Sequence, residues 1–444
     1  MRKKVNNMTN FRKILSLVII FIFCIINMNA QEVLTIENAV KIALENNYEI
    51  KISKNNLNID QSNVSLGNAG ILPALTANIV DTNSLQNSSQ TLQNGNVNTL
   101  DNAKNNRISY GVNLDWTIFD GFRMFARLDQ LKELQKLGDE QLKLTVTTRI
   151  SDVISTYFDL VQQQQQLSAL DTTIVISNQR LALAQNRFSI GKASKLEVLN
   201  AQVDLNADKT SVLRQKELYK NTKTLLNQIL ARDLKTDYKV VDNTEINKQL
   251  LLPELTSLAE KQNPQLVTQI INRKISELQL KQIRANRYPT IRLNSGYAFV
   301  NTESSLGFTS QTSARGLNYG FTATLNLFDG FNQSRNEKIA KIQIENSQLL
   351  IEQQKLSLNS QLETSYQTYL TNLELIDLEE KNETIAKQNL EITLEKFRIG
   401  TITTLEFRTA QLNYVNAKVR NSNAQFQAKL SEIALKELAG NITF

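Results

Sequence analysis

The strongest constraint on this chain is an internal duplication. Phe119-Asp120-Gly121-Phe122 recurs as Phe328-Asp329-Gly330-Phe331, 209 residues later. Phe188, Ile190, Gly191, Leu196, Glu197, Ala201 and Gln202 recur at the same offset as Phe397, Ile399, Gly400, Leu405, Glu406, Ala410 and Gln411. Upstream the offset becomes 216, with Ala43, Asn47 and Pro73 matching Ala259, Asn263 and Pro289. One structural unit is used twice, which overrides the two or three unrelated domains that length alone would suggest. The change of offset lies in the Asn/Ser/Gln/Thr-rich segments at roughly 84–105 and 301–314. Their composition predicts solvated loops, the first one longer.

Within each copy the hydrophobic period switches. From Arg107 to Ile118 the even positions are apolar (Ile108, Tyr110, Val112, Leu114, Trp116, Ile118) and the odd ones small, polar or charged. A period of two marks a two-faced strand. Leu317, Tyr319, Phe321, Ala323, Leu325 and Leu327 repeat the pattern, and weaker alternation follows Pro73 and Pro289. Strands are predicted at about 72–82 and 107–119, and again at about 289–300 and 315–328. Past the strand-to-helix turns at Asp120-Gly121 and Asp329-Gly330, neither copy has a proline before Gly191 or Gly400, and the single intervening glycine is Gly138. Long helices are predicted at 122–188 and 331–398. At 1.5 Å per residue, roughly 65 helical residues extend on the order of 100 Å, so other helices must flank them along that length. Return helices are predicted at 194–232 and 404–438. A preceding helix runs from about Tyr48 to Ala69, with Asn47 and Asn263 as N-caps and Pro264 at a first helical position. The first repeat thus spans 31–232, a connecting segment 233–252, and the second repeat 253–444.

Composition removes most chemistry. The 444 residues include no His and one Cys, Cys24, so imidazole acid–base pairs, histidine metal sites and disulfides cannot be built. No catalytic, cofactor-binding or metal-ligating set stands out, and an enzyme is not expected. The formal charge of +7 shrinks once residues 1–30 are set aside: they hold five of the 50 Lys/Arg and none of the 43 acids. What remains offers no basic footprint for nucleic acid. Those residues, with a basic start, an apolar run from Ile14 to Ile26 and Met28-Asn29-Ala30, read as a signal peptide. The run is shorter than the about 20 residues of a membrane helix. The exported chain is therefore expected to be free of cysteine.

Strands of roughly 10 to 12 residues can cross a bilayer when tilted, but four strands cannot close. Open edges in hydrocarbon leave backbone groups unpaired at several kcal/mol each, and single-chain barrels begin at about eight strands. Several chains must then share one barrel. Two would give eight strands and a filled interior; three would give twelve and an open lumen.

At the Phe-Asp-Gly-Phe turns, and at the tip motifs Arg187-Phe188-Ser189-Ile190-Gly191 and Lys396-Phe397-Arg398-Ile399-Gly400, the chain resembles the TolC family of outer-membrane efflux ducts. The resemblance covers essentially everything after residue 31. It implies a mainly α fold with a membrane β-barrel portion: a homotrimer, a twelve-stranded barrel in outer-membrane lipid and a periplasmic α-helical tunnel. It implies a passive exit duct of a tripartite efflux or type I secretion system, partnered by a periplasmic adaptor protein and an inner-membrane pump, without cofactor. It also implies a ring of carboxylates at the periplasmic aperture, six positions after the tip glycine. Here that residue is Glu406, with Glu197 its first-copy counterpart. Where some members carry a second acid three residues on, this chain has Thr409 and Asn200.

Gly191 and Gly400 read as left-handed C-caps. With Phe188 and Phe397 they form the tips that an adaptor would grip. Glu197 and Glu406 stand early in the return helices, where the helix dipole favours a carboxylate, and copies around an axis would favour cations. Lys192, Lys195 and Arg398 read as solvated charges or partner contacts, the run Gln162 to Gln166 as a water-facing stripe, and Tyr110 and Trp116 as lipid-facing. The long helices would also serve a structural or adhesive coiled-coil protein of the cell envelope, which has no need of two amphipathic strand pairs.

Overall fold

The computed structural model describes residues 32–305 and 309–442. The predicted signal peptide, Cys24 and Phe444 lie outside the described residues. The chain divides into two compact units, each built from both copies: one holds Ile52–Lys143 and Pro264–Ser357, the other the residues up to Lys51, Leu144–Asn263 and Leu358 onward.

The first of these units contains one antiparallel sheet of four strands: β2 (Ala74–Thr91), β3 (Val97–Phe119), β5 (Thr290–Ser304) and β6 (Gln311–Thr324), in the order β2-β3-β5-β6. Register puts the apolar rows together. Ile79 faces Tyr110, Tyr110 faces Phe299, and Tyr297 faces Leu317; the Tyr110 and Phe299 rings stack at 5.0 Å. Leu75 on this face is 71 % exposed and Tyr319 81 %. The opposite face carries Asn78, Asn113, Asn294 and Asn318, and Asn113 donates to Asn78 at 2.7 Å.

The polar segment expected as a long loop is mostly strand. Pairing continues to Thr91 with Val97, across one bulge between Gln86 and Ser88, and the turn is five residues. Ladder hydrogen bonds engage only the backbone, so exposed Asn, Ser and Gln can occupy strands that stand clear of any core. In the second copy β6 stops at Thr324 although alternation runs on to Leu327, because β5 opens at Thr290 opposite Thr324 and offers no partner beyond it. Pro289, just before Thr290, cannot donate to a ladder.

Eight helices are described: α1 (Ile36–Asn46), α2 (Tyr48–Asn63), α3 (Arg123–Ser189), α4 (Lys195–Ile229), α5 (Leu252–Gln262), α6 (Pro264–Ala285), α7 (Asn332–Ile399) and α8 (Thr404–Leu438). α3 and α7, of 67 and 68 residues, pass through both units. Each starts from an aspartate: Asp120 Oδ1 accepts from Met124 N at 3.2 Å and Asp329 Oδ2 from Gln333 N at 2.7 Å. α2 ends at Asn63, short of Ala69, where Asn68 Nδ2 donates to the Asn63 carbonyl and Ser65 Oγ accepts from Asn68 N. Such side chains compete with helical hydrogen bonding.

The second unit has its core where the two-stranded parallel sheet of β1 (Glu32–Leu34) and β4 (Tyr238–Val240) packs on the middle of α3. Tyr157 is buried there and its hydroxyl donates to the Leu34 carbonyl at 3.0 Å and accepts from Val241 N at 3.0 Å. Burial is the main reason the phenol is raised above its ordinary pKa. Two bonds repeat between copies: Asn47 Nδ2 donates to the Ile229 carbonyl at 2.8 Å, and Asn263 Nδ2 to the Leu438 carbonyl at 2.9 Å. Each asparagine joins a helix junction to the last turn of a return helix, where carbonyls lack intrahelical partners. Asn47 Oδ1 also caps α2, accepting from Glu49 N at 2.9 Å.

Candidate functional site at the hairpin tips

The α3–α4 and α7–α8 turns are built alike. Gly191 has φ 75° and Gly400 φ 85°. Lys192 N donates to the Arg187 carbonyl at 2.7 Å and Thr401 N to the Lys396 carbonyl at 3.1 Å, the backbone pattern of a left-handed helix stop. The return helices open with Ser194 and Thr403, whose hydroxyls accept from Glu197 N at 3.3 Å and Glu406 N at 3.2 Å. Ser/Thr followed three residues later by Glu is a helix-start signature.

The side chains on these matching frames diverge. Glu197 accepts from Thr404 Oγ1 of the other hairpin at 2.9 Å and lies 3.8 Å from Arg187. Glu406 is exposed, and its carboxylate has no partner among the described residues. Phe188 is 43 % exposed, with Lys195 Nζ 5.5 Å from its ring centre. Phe397 is 1 % exposed and stacks on Phe407 at 5.0 Å, so it packs the tip from within. Arg398 pairs with Glu395 on its own helix at 2.7 Å. The glutamine run is no simple water-facing stripe: Gln162 is buried against Asn423, and Gln165 accepts from Ser422 Oγ at 2.6 Å.

Behind the tips lies a polar network that the sequence reading missed. Arg408 of α8 grips Asp208 of α4 with two nitrogens, at 2.8 and 2.9 Å. Ser177 of α3 donates to Asp208 at 2.5 Å, and Gln411 of α8 donates to Ser177 at 2.8 Å. Arg180 reaches Asp204 at 2.6 Å. Asp208, Ser177, Gln411 and Arg180 are buried. A bidentate guanidinium–carboxylate pair is among the stronger polar contacts, and this one holds the second return helix to the first hairpin. At the repeat offset, Arg408 stands where the first copy has Leu199, and Asp208 where the second has Ala417. The strand-to-helix turns are separate features of the other unit. Gly121 and Gly330 have φ 70° and 68°, followed by Phe122 and Phe331, also left-handed at 67° and 64°.

A duplicated frame of long antiparallel helices with an amphipathic four-stranded sheet matches one known family. The profile of the outer membrane efflux protein family covers residues 39–232 and 255–441. The chain belongs to that family. It is similar to outer membrane protein TolC of Vibrio cholerae, 21% identical over 357 residues that cover 78% of this chain and 80% of that protein. It is likewise similar to TolC of Escherichia coli, 20% identical over 346 residues covering 76% and 70%. In structure it is similar to the Campylobacter jejuni CmeC outer membrane channel, with a TM-score of 0.77, 18% identity, and 91% of this chain and 85% of that one covered. This outer-membrane efflux protein is a channel with a periplasmic extension; the adhesive coiled-coil alternative has no such support.

Proposed function

We propose that three copies of this efflux protein close a twelve-stranded barrel in the outer membrane above a helical periplasmic tunnel, forming the passive exit duct of a tripartite pump. The observation that carries this reading is the sheet. One of its faces is apolar and exposed, and among the described residues β2 and β6 each pair on one side only. Three such sheets joined edge to edge leave no backbone group unpaired in lipid and turn the asparagine face to a lumen. Gly191, Gly400 and the exposed Phe188 form the docking surface for an adaptor protein, with Phe397 supporting it from inside. Glu406 supplies the aperture carboxylate, while Glu197 ties the two hairpins together. Opening is a shift of the return helices, restrained within each chain by Arg408 and Asp208. Energy enters from the inner-membrane partner.

Paired cysteines on the outer edges of β2 and β6 test the reading, since Cys24 is the one native cysteine. Oxidation in outer-membrane fractions is expected to give covalent trimers, and the purified protein is expected to conduct in planar bilayers. A monomer absent from those fractions overturns it.

A further inference from the structure

Each edge strand of the four-stranded sheet carries a single charged residue, and the two are opposite in sign. Asp81 is the one charged residue of β2, and Arg315 the one of β6. Both stand on the apolar face: Asp81 is registered with Ile108, and Arg315 with Phe299. On that face the central strands carry no charge from Ile108 to Trp116 or from Leu293 to Asn301. A charge turned to hydrocarbon is costly, increasingly so toward the bilayer centre, so its placement on the two open edges calls for a reason. Both residues are exposed, and Arg315 has no partner among the described residues. The Asp81 carboxylate is held by Asn83 on the same strand, whose Nδ2 donates to Oδ2 at 3.1 Å.

Building on the three-chain barrel proposed above, we infer that Asp81 of one chain pairs with Arg315 of the next at every seam, and that this ion pair fixes the register in which the barrel closes. Within the sheet, Ile79, Tyr110, Phe299 and Arg315 lie in one row. Strands tilted by about 36° shift by roughly one residue per strand around a barrel. Over the four strands of one chain the row therefore returns about four residues away on the next β2, opposite Leu75 or opposite Asn83. Opposite Leu75, the part of β6 from Leu317 to Thr324 would lie beyond the start of β2 and leave its backbone groups unpaired in lipid. Opposite Asn83, Thr324 meets Ala74, and the helix-side ends of the two strands coincide. Asp81 is then the diagonal neighbour of Arg315, at a Cα separation of roughly 7–8 Å that a long side chain spans. Asn83, which already holds the Asp81 carboxylate, stands directly across from the guanidinium. Beside lipid such a pair is screened less than one in water.

Heating full-length protein from outer-membrane fractions in SDS, and reading the trimer's dissociation temperature from gel mobility, measures the seam. Asp81→Arg and Arg315→Asp should each lower that temperature by several degrees, and the charge-exchanged double variant should regain most of the loss. Lys104→Met, which removes a cation from the same face of a central strand, should leave it unchanged. Single variants at the wild-type temperature overturn the pair, as does a double variant no more stable than the weaker single. A loss in Arg315→Asp without one in Asp81→Arg would give Arg315 to a lipid phosphate instead, and overturns it too. Should a reversed variant fail to assemble, Asp81→Asn and Arg315→Gln decide in a double-mutant cycle: additive losses overturn the pair. A wild-type protein that forms no trimer refutes the shared barrel itself, whereas trimers indifferent to these substitutions refute only the seam.

Discussion

The α3–α4 and α7–α8 hairpins have the same tip backbone, the same hydroxyl cap and a glutamate at the same place in the return helix, yet their side chains are employed differently. Glu197 bonds to Thr404 of the other hairpin, whereas the Glu406 carboxylate is exposed and has no partner among the described residues. Phe188 presents its ring to solvent, whereas Phe397 is buried against Phe407. Arg408 replaces a leucine of the first copy, and Asp208 an alanine of the second. In a duplicated chain, the shared glycines and cap residues maintain the frame, while side chains on it, shared or different, can be turned to contacts between the copies or with something else.

The largest expected difference between copies lies at the strand-to-helix turns. A Cβ on Gly121 would collide with the Ala285 carbonyl and lie 2.9 Å from Tyr288 Cβ, while at Gly330 its nearest neighbour would be Asn332 Nδ2 at 3.8 Å. Gly330→Ala should cost about 1–2 kcal/mol for a left-handed residue. Gly121→Ala adds overpacking against backbone, on the order of 1–3 kcal/mol more. Thermal unfolding followed by circular dichroism measures both. Equal losses would mean that the two turns are interchangeable after all.

Next comes the buried pair. Arg408→Leu alone leaves Asp208 without its guanidinium partner and should destabilise the protein by roughly 3 kcal/mol, as should Asp208→Ala. The double variant, which gives each helix the residue its counterpart carries, should recover most of that loss, because an apolar replacement of a buried ion pair is often neutral. A double variant as unstable as the sum of the singles would show that the two residues act independently. At the aperture the effect is functional. Glu406→Ala should lower the cation-to-anion permeability ratio several-fold in single-channel recording, while Glu197→Ala, already engaged within the chain, should leave it near wild type. The reverse result would exchange their roles.

Much of this frame was legible in advance. Alternation in Arg107–Ile118 places β3, and the stretches free of proline and nearly of glycine define α3 and α7, because both signals are local and periodic. The extended β2–β3 hairpin was not legible. Residues 85–91 combine Asn, Ser and Gln, a composition equally suited to an exposed paired strand and to a loop. The tip glycines were readable as helix stops. The contacts Thr404–Glu197 and Arg408–Asp208 were not, since their partners lie 207 and 200 residues apart and helical spacing does not say which hairpin a face will meet. Arg408 and Asp208 do stand opposite Leu199 and Ala417 in the other copy, but most other positions of α4 and α8 differ between the copies as well, so the difference alone does not single them out.

The smallest expected effect is the most discriminating. Thr404 donates to Glu197 from a position that the first copy fills with Lys195, whose ammonium instead lies over Phe188. Thr404→Val keeps the shape and removes one hydroxyl, so stability should fall by only about 0.5–1.5 kcal/mol, since Glu197 is partly exposed and solvent can replace the donor. What should change is the coupling between hairpins. Glu197→Ala should destabilise the wild type more than it destabilises the Thr404→Val protein, by a fraction of that amount, in a double-mutant cycle. If the two losses simply add, Glu197 is no tie between the hairpins. It would then be a carboxylate that serves only its own helix start.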